Sequence, residues 1–146
     1  MITGQTSSPI VVTHEKGLSF AAQIRQHRLV TDQSARSGGE DSAPSPTELI
    51  SAALGSCIAL YVHQFLVSRG LPHDGMRVEV TPRSVANPNR IAELSVAVVL
   101  PVQLSPHTLL MLDRVVRSCP VHNTLAHGAA VSCSIEVDSG DHAACA

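Results

Sequence analysis

Alternation of apolar and polar residues marks the strands of this chain. From Leu18 to Ile24, Leu18, Phe20, Ala22 and Ile24 fall on one side, with Ser19, Ala21 and Gln23 on the other; His27–Thr31 reads as a second short strand. Met76, Val78 and Val80 alternate with Arg77, Glu79 and Thr81, a half-buried strand. After a turn region from Pro82 to Arg90, the segment Ile91 to Leu100 presents Ala92, Leu94, Val96, Val98 and Leu100 on one face, so the two strands pair as a hairpin. A last strand is expected over Val131–Val137, burying Val131, Cys133, Ile135 and Val137.

The helices are marked by their ends. The turn-rich stretch Ser34 to Ser45 stops at a capping box, in which Ser45 is the N-cap, Pro46 the first helical residue and Glu48 the N3 acid. A helix can run from there to Arg69, with Gly70 as terminator and Pro72 beyond. Its segment Leu49–Val62 carries no charge on any side, so it is expected to be buried nearly all round. A single sheet cannot cover such a helix, and the pattern therefore predicts a homodimer with this helix at or near the interface. Ser105 and Pro106 open a second helix with Leu109, Leu112, Val116 and Cys119 on one stripe, and a short helical piece, Pro120–Ala126, stops at Gly128. The order of elements is that of an α+β domain spanning 1–146, with an antiparallel or mixed sheet packed on helices.

Composition narrows the function. A chain of 146 residues is the size of one domain and has a near-neutral balance of −2 with 15% charged and 2% aromatic residues. Neither the electrostatic footprint nor the stacking platforms of a nucleic-acid or anionic-membrane binder are present. The N-terminus lacks the basic start and apolar stretch of a signal peptide, and the longest uncharged run, 14 residues, is short for a membrane span. The expected location is the cytoplasm. In that compartment four cysteines without a Cys-x-x-Cys pair suggest transient thiol chemistry rather than a structural disulfide framework or zinc ribbon.

Two cysteines have pointed settings. Cys57 lies mid-helix in the uncharged run, and Cys119 sits at the end of the second helix in Cys119-Pro120-Val121-His122. Brought together, they would be a pair with one thiol placed to attack and the other to resolve; apart, each would be a small core residue. Cys133 reads as a packing residue of the last strand, and Cys145, near the terminus, as an incidental thiol. His122 could orient a thiolate or substrate, or cap a turn. The remaining histidines, His14, His27, His63, His73, His107, His127 and His142, lack ligand spacing, and a zinc site at Cys119 and His122 would need two further ligands. Gly38-Gly39 lacks the Lys-Ser or Lys-Thr of a phosphate loop, and reads as loop flexibility or a lid.

The stretch Gly38-Gly-Glu-Asp-Ser-Ala-Pro-Ser-Pro-Thr-Glu-Leu-Ile-Ser-Ala-Ala-Leu-Gly-Ser-Cys57, with Ser118-Cys-Pro-Val-His-Asn-Thr-Leu125 downstream, closely resembles the OsmC/Ohr family in its OsmC-like branch. The resemblance implies an intertwined α+β homodimer and a cysteine peroxidase acting on organic hydroperoxides. It puts the peroxidatic role on Cys57 and the resolving role on Cys119, with an external dithiol as reductant and no bound cofactor.

The match departs from the family at the activating groups. Apolar burial raises a thiol's pKa, so Cys57 needs a cation or hydrogen-bond donors, which typical members supply as an arginine held by a glutamate. Thr47 stands at the usual glutamate position, with Glu48 one step later and about 100° around the helix. Near the family's arginine position stand Glu15 and Lys16, while Arg25, Arg28, Arg36 and Arg117 are the possible substitutes. Glu48 is thus a cap and a candidate anchor for a cation. The leading expectation is a thiol-dependent peroxidase. A non-catalytic dimer binding an apolar ligand or partner, and a slow redox sensor, are the alternatives.

Overall fold

The computed structural model describes residues 8–137. Three strands come first: β1 (Val11–Lys16), β2 (Ser19–Ile24) and β3 (His27–Thr31), an antiparallel meander in the order β1-β2-β3. Sequence reading finds β2 and β3 but misses β1, whose Val-Val-Thr-His-Glu-Lys does not alternate cleanly and is exposed throughout. Within β2 the sheltered side is that of Ser19 and Ala21, while Phe20 is exposed.

Helix α1 (Pro46–Val67) is followed by the long hairpin β4 (Arg77–Ala86) and β5 (Asn89–Val99), then α2 (Pro106–Arg117) and α3 (Pro120–His127). The start of α1 is the capping box read from the sequence. Ser45 Oγ accepts from the Glu48 N–H at 3.4 Å, and the Glu48 carboxylate accepts from the Ser45 N–H at 2.7 Å. At its other end Gly70 takes a left-handed φ of 62°, and the Leu71 N–H reaches back to the Leu66 carbonyl. The hairpin strands extend further into the intervening turn region than periodicity suggests, with a bulge at Arg83/Ser84.

Helix α1 packs on β4, α2 and α3 through Leu54, Ile58, Val62, Phe65 and Leu66, which with Leu112 and Cys119 form the core. It is not buried all round: Ile50, Leu60 and Val67 are exposed, because the hairpin and two short helices cover only one side of a 22-residue rod. By length and composition alone α1 could cross a membrane, yet the Leu54 to Leu66 stripe is the core of the domain. Gly55 lets β4 come close, since a Cβ there would meet the Val80 methyl at 3.1 Å.

One strand expected from the sequence is absent. Residues 131–137 form neither helix nor strand, and Val131, Ile135 and Val137 are 85%, 96% and 87% exposed. Cys133 is likewise exposed, which overturns its reading as a packing residue. The alternation is genuine, but a strand exists only when a neighbour accepts its backbone hydrogen bonds, and no described strand lies beside this one.

Between β3 and α1 the chain is pinned by a residue that sequence reading passed over. The Asp32 carboxylate is buried and accepts from the N–H groups of Gln33, Glu40 and Ser42 at 2.7, 3.2 and 3.0 Å, and from the Ser42 hydroxyl at 2.7 Å. Chiefly because of the Ser42 amide and hydroxyl, its pKa falls from 3.8 to about 2. Gly39 closes the same knot, since a Cβ there would lie 2.0 Å from the Gln33 carbonyl oxygen. Gly39 thus serves close backbone approach, and Gly38, with a φ of 86°, closes the 3-10 turn in the left-handed region, in place of the flexibility expected of the pair.

The pinned loop has a pH signature. The depressed pKa means that the ionised Asp32 stabilises the fold fully above the unfolded-state value of about 3.9, and that this stabilisation is lost as pH falls toward about 2. Asp32→Asn is expected to melt below wild type at neutral pH. In thermal scans across the acid range the gap should shrink between those two values, and a gap independent of pH would refute the assignment.

Candidate active site

The two cysteines singled out in the sequence meet. Cys57, in the middle of α1, and Cys119, at the junction of α2 and α3, form a disulfide with Cα atoms 6.2 Å apart across 62 residues of chain. Local sequence explains each position. Cys57 follows Leu54 by three residues and precedes Ile58, so it lies beside the stripe that faces the core. On the other side, Ser118 ends α2, and Pro120, which suits a first helical position, starts α3 immediately after. That break makes Cys119 the N-cap of α3, and the residue is fully buried, whereas Cys57 keeps part of its surface.

Two hollows, lined mainly by apolar side chains, open along the Leu54–Ile58 side of α1; Ile58, next to Cys57 in the chain, and His122, shortly after Cys119, are among their lining residues, and neither cysteine is. One, of about 470 Å³, lies between α1, α2 and β5 and is lined by Ile58, Val96, Val98 and Leu112; the other, of about 540 Å³, lies toward α3 and the start of α1 and includes Ile50, Ile91 and Leu125. Leu54, Leu94 and His122 border both. At the rim of the first, Arg117 donates to Asp113 at 2.9 Å. This bond holds the Asp113 carboxyl below its ordinary range and raises the Arg117 pKa. His122, three residues after Cys119, is the titratable side chain that faces both hollows. Among the described residues, no three His, Cys, Asp or Glu side chains gather as a metal site would require.

The other expected site residues do not join the cysteines. Glu48 is nine positions from Cys57 on α1, roughly 13 Å along the axis, and its carboxylate is occupied by the Ser45 N–H and hydroxyl. Those bonds, the backbone one first, lower its pKa. Glu48 caps α1, and it holds no arginine. Thr47 borders the second hollow. Of the candidate cations, Arg28 pairs with Glu15 across the meander, Arg117 pairs with Asp113, Arg25 occupies a tight turn with φ of 56°, and Arg36 lies in the 3-10 turn Ala35–Ser37. Arg25, Arg28 and Arg36 belong to the meander and its loop, whose strands make no extensive contact with the helices of their own chain. Arg117 alone among them borders one of the hollows.

The OsmC-like protein family matches residues 39–134, a span holding both cysteines, the hairpin β4–β5 and all three helices. The chain belongs to this family. OsmC-like folds of known structure superpose over most of it. A Psychrobacter arcticus 273-4 protein named for osmotic stress induction and a detoxification response shares 25% identity, with a TM-score of 0.74 over 84% of this chain and 91% of that one. An organic hydroperoxide resistance protein from Legionella pneumophila is 16% identical, with a TM-score of 0.57 over 83% and 91%. The organic hydroperoxide resistance protein OhrB of Bacillus subtilis is 11% identical, at 0.56 over 82% and 90%. No curated protein matches the chain. The Cys57–Cys119 disulfide, with both cysteines inside the matched span, supports a redox role for this OsmC-like protein.

Proposed function

We propose that this OsmC-like protein is a thiol peroxidase for organic hydroperoxides. The observation that carries the reading is the Cys57–Cys119 disulfide, with two mainly apolar hollows bordered by the nearby Leu54 and His122. The Cys57 thiolate attacks the distal peroxide oxygen and breaks the O–O bond. The organic half leaves as an alkoxide that takes up a proton to become the alcohol, and Cys57 becomes a sulfenic acid. The Cys119 thiol condenses with it, releasing water and forming the disulfide. A dithiol then restores both thiols, so each cycle consumes one peroxide and two reducing equivalents. Cys57 is the attacking partner because it retains surface while Cys119 is sealed in the core. Apolar walls favour an alkyl peroxide over a hydrated one.

The working unit we propose is a homodimer. Exposed Ile50 and Leu60 on α1, the alternating segment 131–137 and a three-stranded meander with little packing on its own helices all present surface that a second copy would cover. Sedimentation at micromolar concentration should give a dimer, and a monomer throughout would remove this part of the proposal.

The decisive experiment treats reduced protein with one equivalent of an organic hydroperoxide and maps disulfides by non-reducing peptide mass spectrometry. Rapid Cys57–Cys119 formation, followed by catalytic peroxide consumption with a dithiol, is expected. Stoichiometric oxidation without recycling would indicate a sensor, and two unmodified thiols would end the redox reading.

A further inference from the structure

The geometry also points to how the disulfide is reopened, an inference that rests on the thiol cycle proposed above. We infer that the reductant attacks the sulfur of Cys57, and that Cys119 departs as a thiolate held at the N-terminus of α3. Disulfide exchange requires the incoming thiolate to approach in line, from behind the sulfur it attacks. Cys119 has no solvent-exposed surface and is packed into the Leu54–Leu66–Leu112 core, so the space behind its sulfur is filled. Cys57 is only partly buried within its own chain, so it is the one of the two that keeps surface.

The leaving group is favoured independently of access. Cys119 is the N-cap of an eight-residue helix, and its side chain makes no capping hydrogen bond while it is tied in the disulfide. Pro120 has no N–H, which leaves the amides of Val121 and His122 as the donors that an N-cap side chain ordinarily serves. Once the S–S bond breaks, the Cys119 sulfur carries a negative charge at the positive end of α3. Such a position lowers a thiol's pKa, and a lower pKa makes a better leaving group. Cys57, in the interior of α1, has neighbouring amides already committed to the helix.

A reductant thiolate bonds to the Cys57 sulfur, the S–S bond breaks, and its electron pair goes to Cys119. The second thiol of a dithiol then displaces Cys57 as a thiolate, and the reductant closes to its own disulfide. Two electrons pass from reductant to protein, and the mixed disulfide lies on Cys57.

The test does not depend on peroxide chemistry. Wild-type protein is oxidised with diamide, exposed briefly to glutathione, quenched in acid, alkylated with a maleimide and mapped by peptide mass spectrometry. Glutathione is expected on Cys57 in about tenfold or greater excess over Cys119, with maleimide on Cys119. Glutathione on Cys119, or shared equally, would overturn the inference. A protein whose disulfide forms with diamide but never with a hydroperoxide would lose the peroxidase reading and could still show the Cys57 adduct, so the two failures are distinct.

Discussion

Cys57→Ser is expected to reduce organic hydroperoxide turnover to the uncatalysed background, because a serine hydroxyl is not ionised at neutral pH and cannot form a sulfenic acid. Cys119→Ser should behave differently. Its Cys57 can still attack, so one equivalent of peroxide is consumed, after which the protein stalls as a sulfenic acid that a dimedone-type probe captures. The contrast matters more than either loss alone. Were both variants to fail at the first equivalent while remaining folded by circular dichroism, the division of roles between the attacking and resolving thiols would be wrong. A Cys57→Ser protein with wild-type turnover would sink the proposed function entirely.

The second large effect concerns the helix that positions Cys57. Leu66 is fully buried at the penultimate position of α1, in the core with Val62 and Phe65. Leu66→Ala is expected to cost about 2–5 kcal/mol, from the lost transfer free energy and the cavity that remains. Against a typical total of about 5–15 kcal/mol this is a large fraction, and it should lower Tm by about 2–4 °C per kcal/mol in a chain of this size class. The adjacent Val67 is 48% exposed in the isolated chain, so Val67→Ala should change stability by about 0.5 kcal/mol or less. Denaturant melts of the two variants check the pair. Equal costs at both positions would mean that the outward face of α1 is covered in solution, as the proposed dimer would cover it.

Several features were legible because they are local. The capping box at Ser45 and Glu48, the left-handed Gly70 and the Pro106 and Pro120 helix starts each depend on a few consecutive residues, and each is found where the pattern places it. Strand β1 was missed because its exposed Val11 and Val12 carry no period-two pattern. Asp32 was missed because its four donors come from residues one, eight and ten positions away, a convergence that composition records only as a turn-rich loop. The segment 131–137 failed the other way, since alternation marks what a strand could bury but not whether an edge is available to pair with it.

The sequence by itself determined the α+β class, the helix starts and the two cysteines worth attention, since period, capping and motif are properties of neighbouring residues. Only the tertiary structure decided that those cysteines, 62 residues apart, stand 6.2 Å apart between Cα atoms, and that one is sealed while the other is not. It also decided that the Glu48 carboxylate is held by Ser45 and does not reach the cysteines. Distance, burial and access are set by how α1 packs against α2 and α3, and that packing is a sum over contacts between residues remote in the chain.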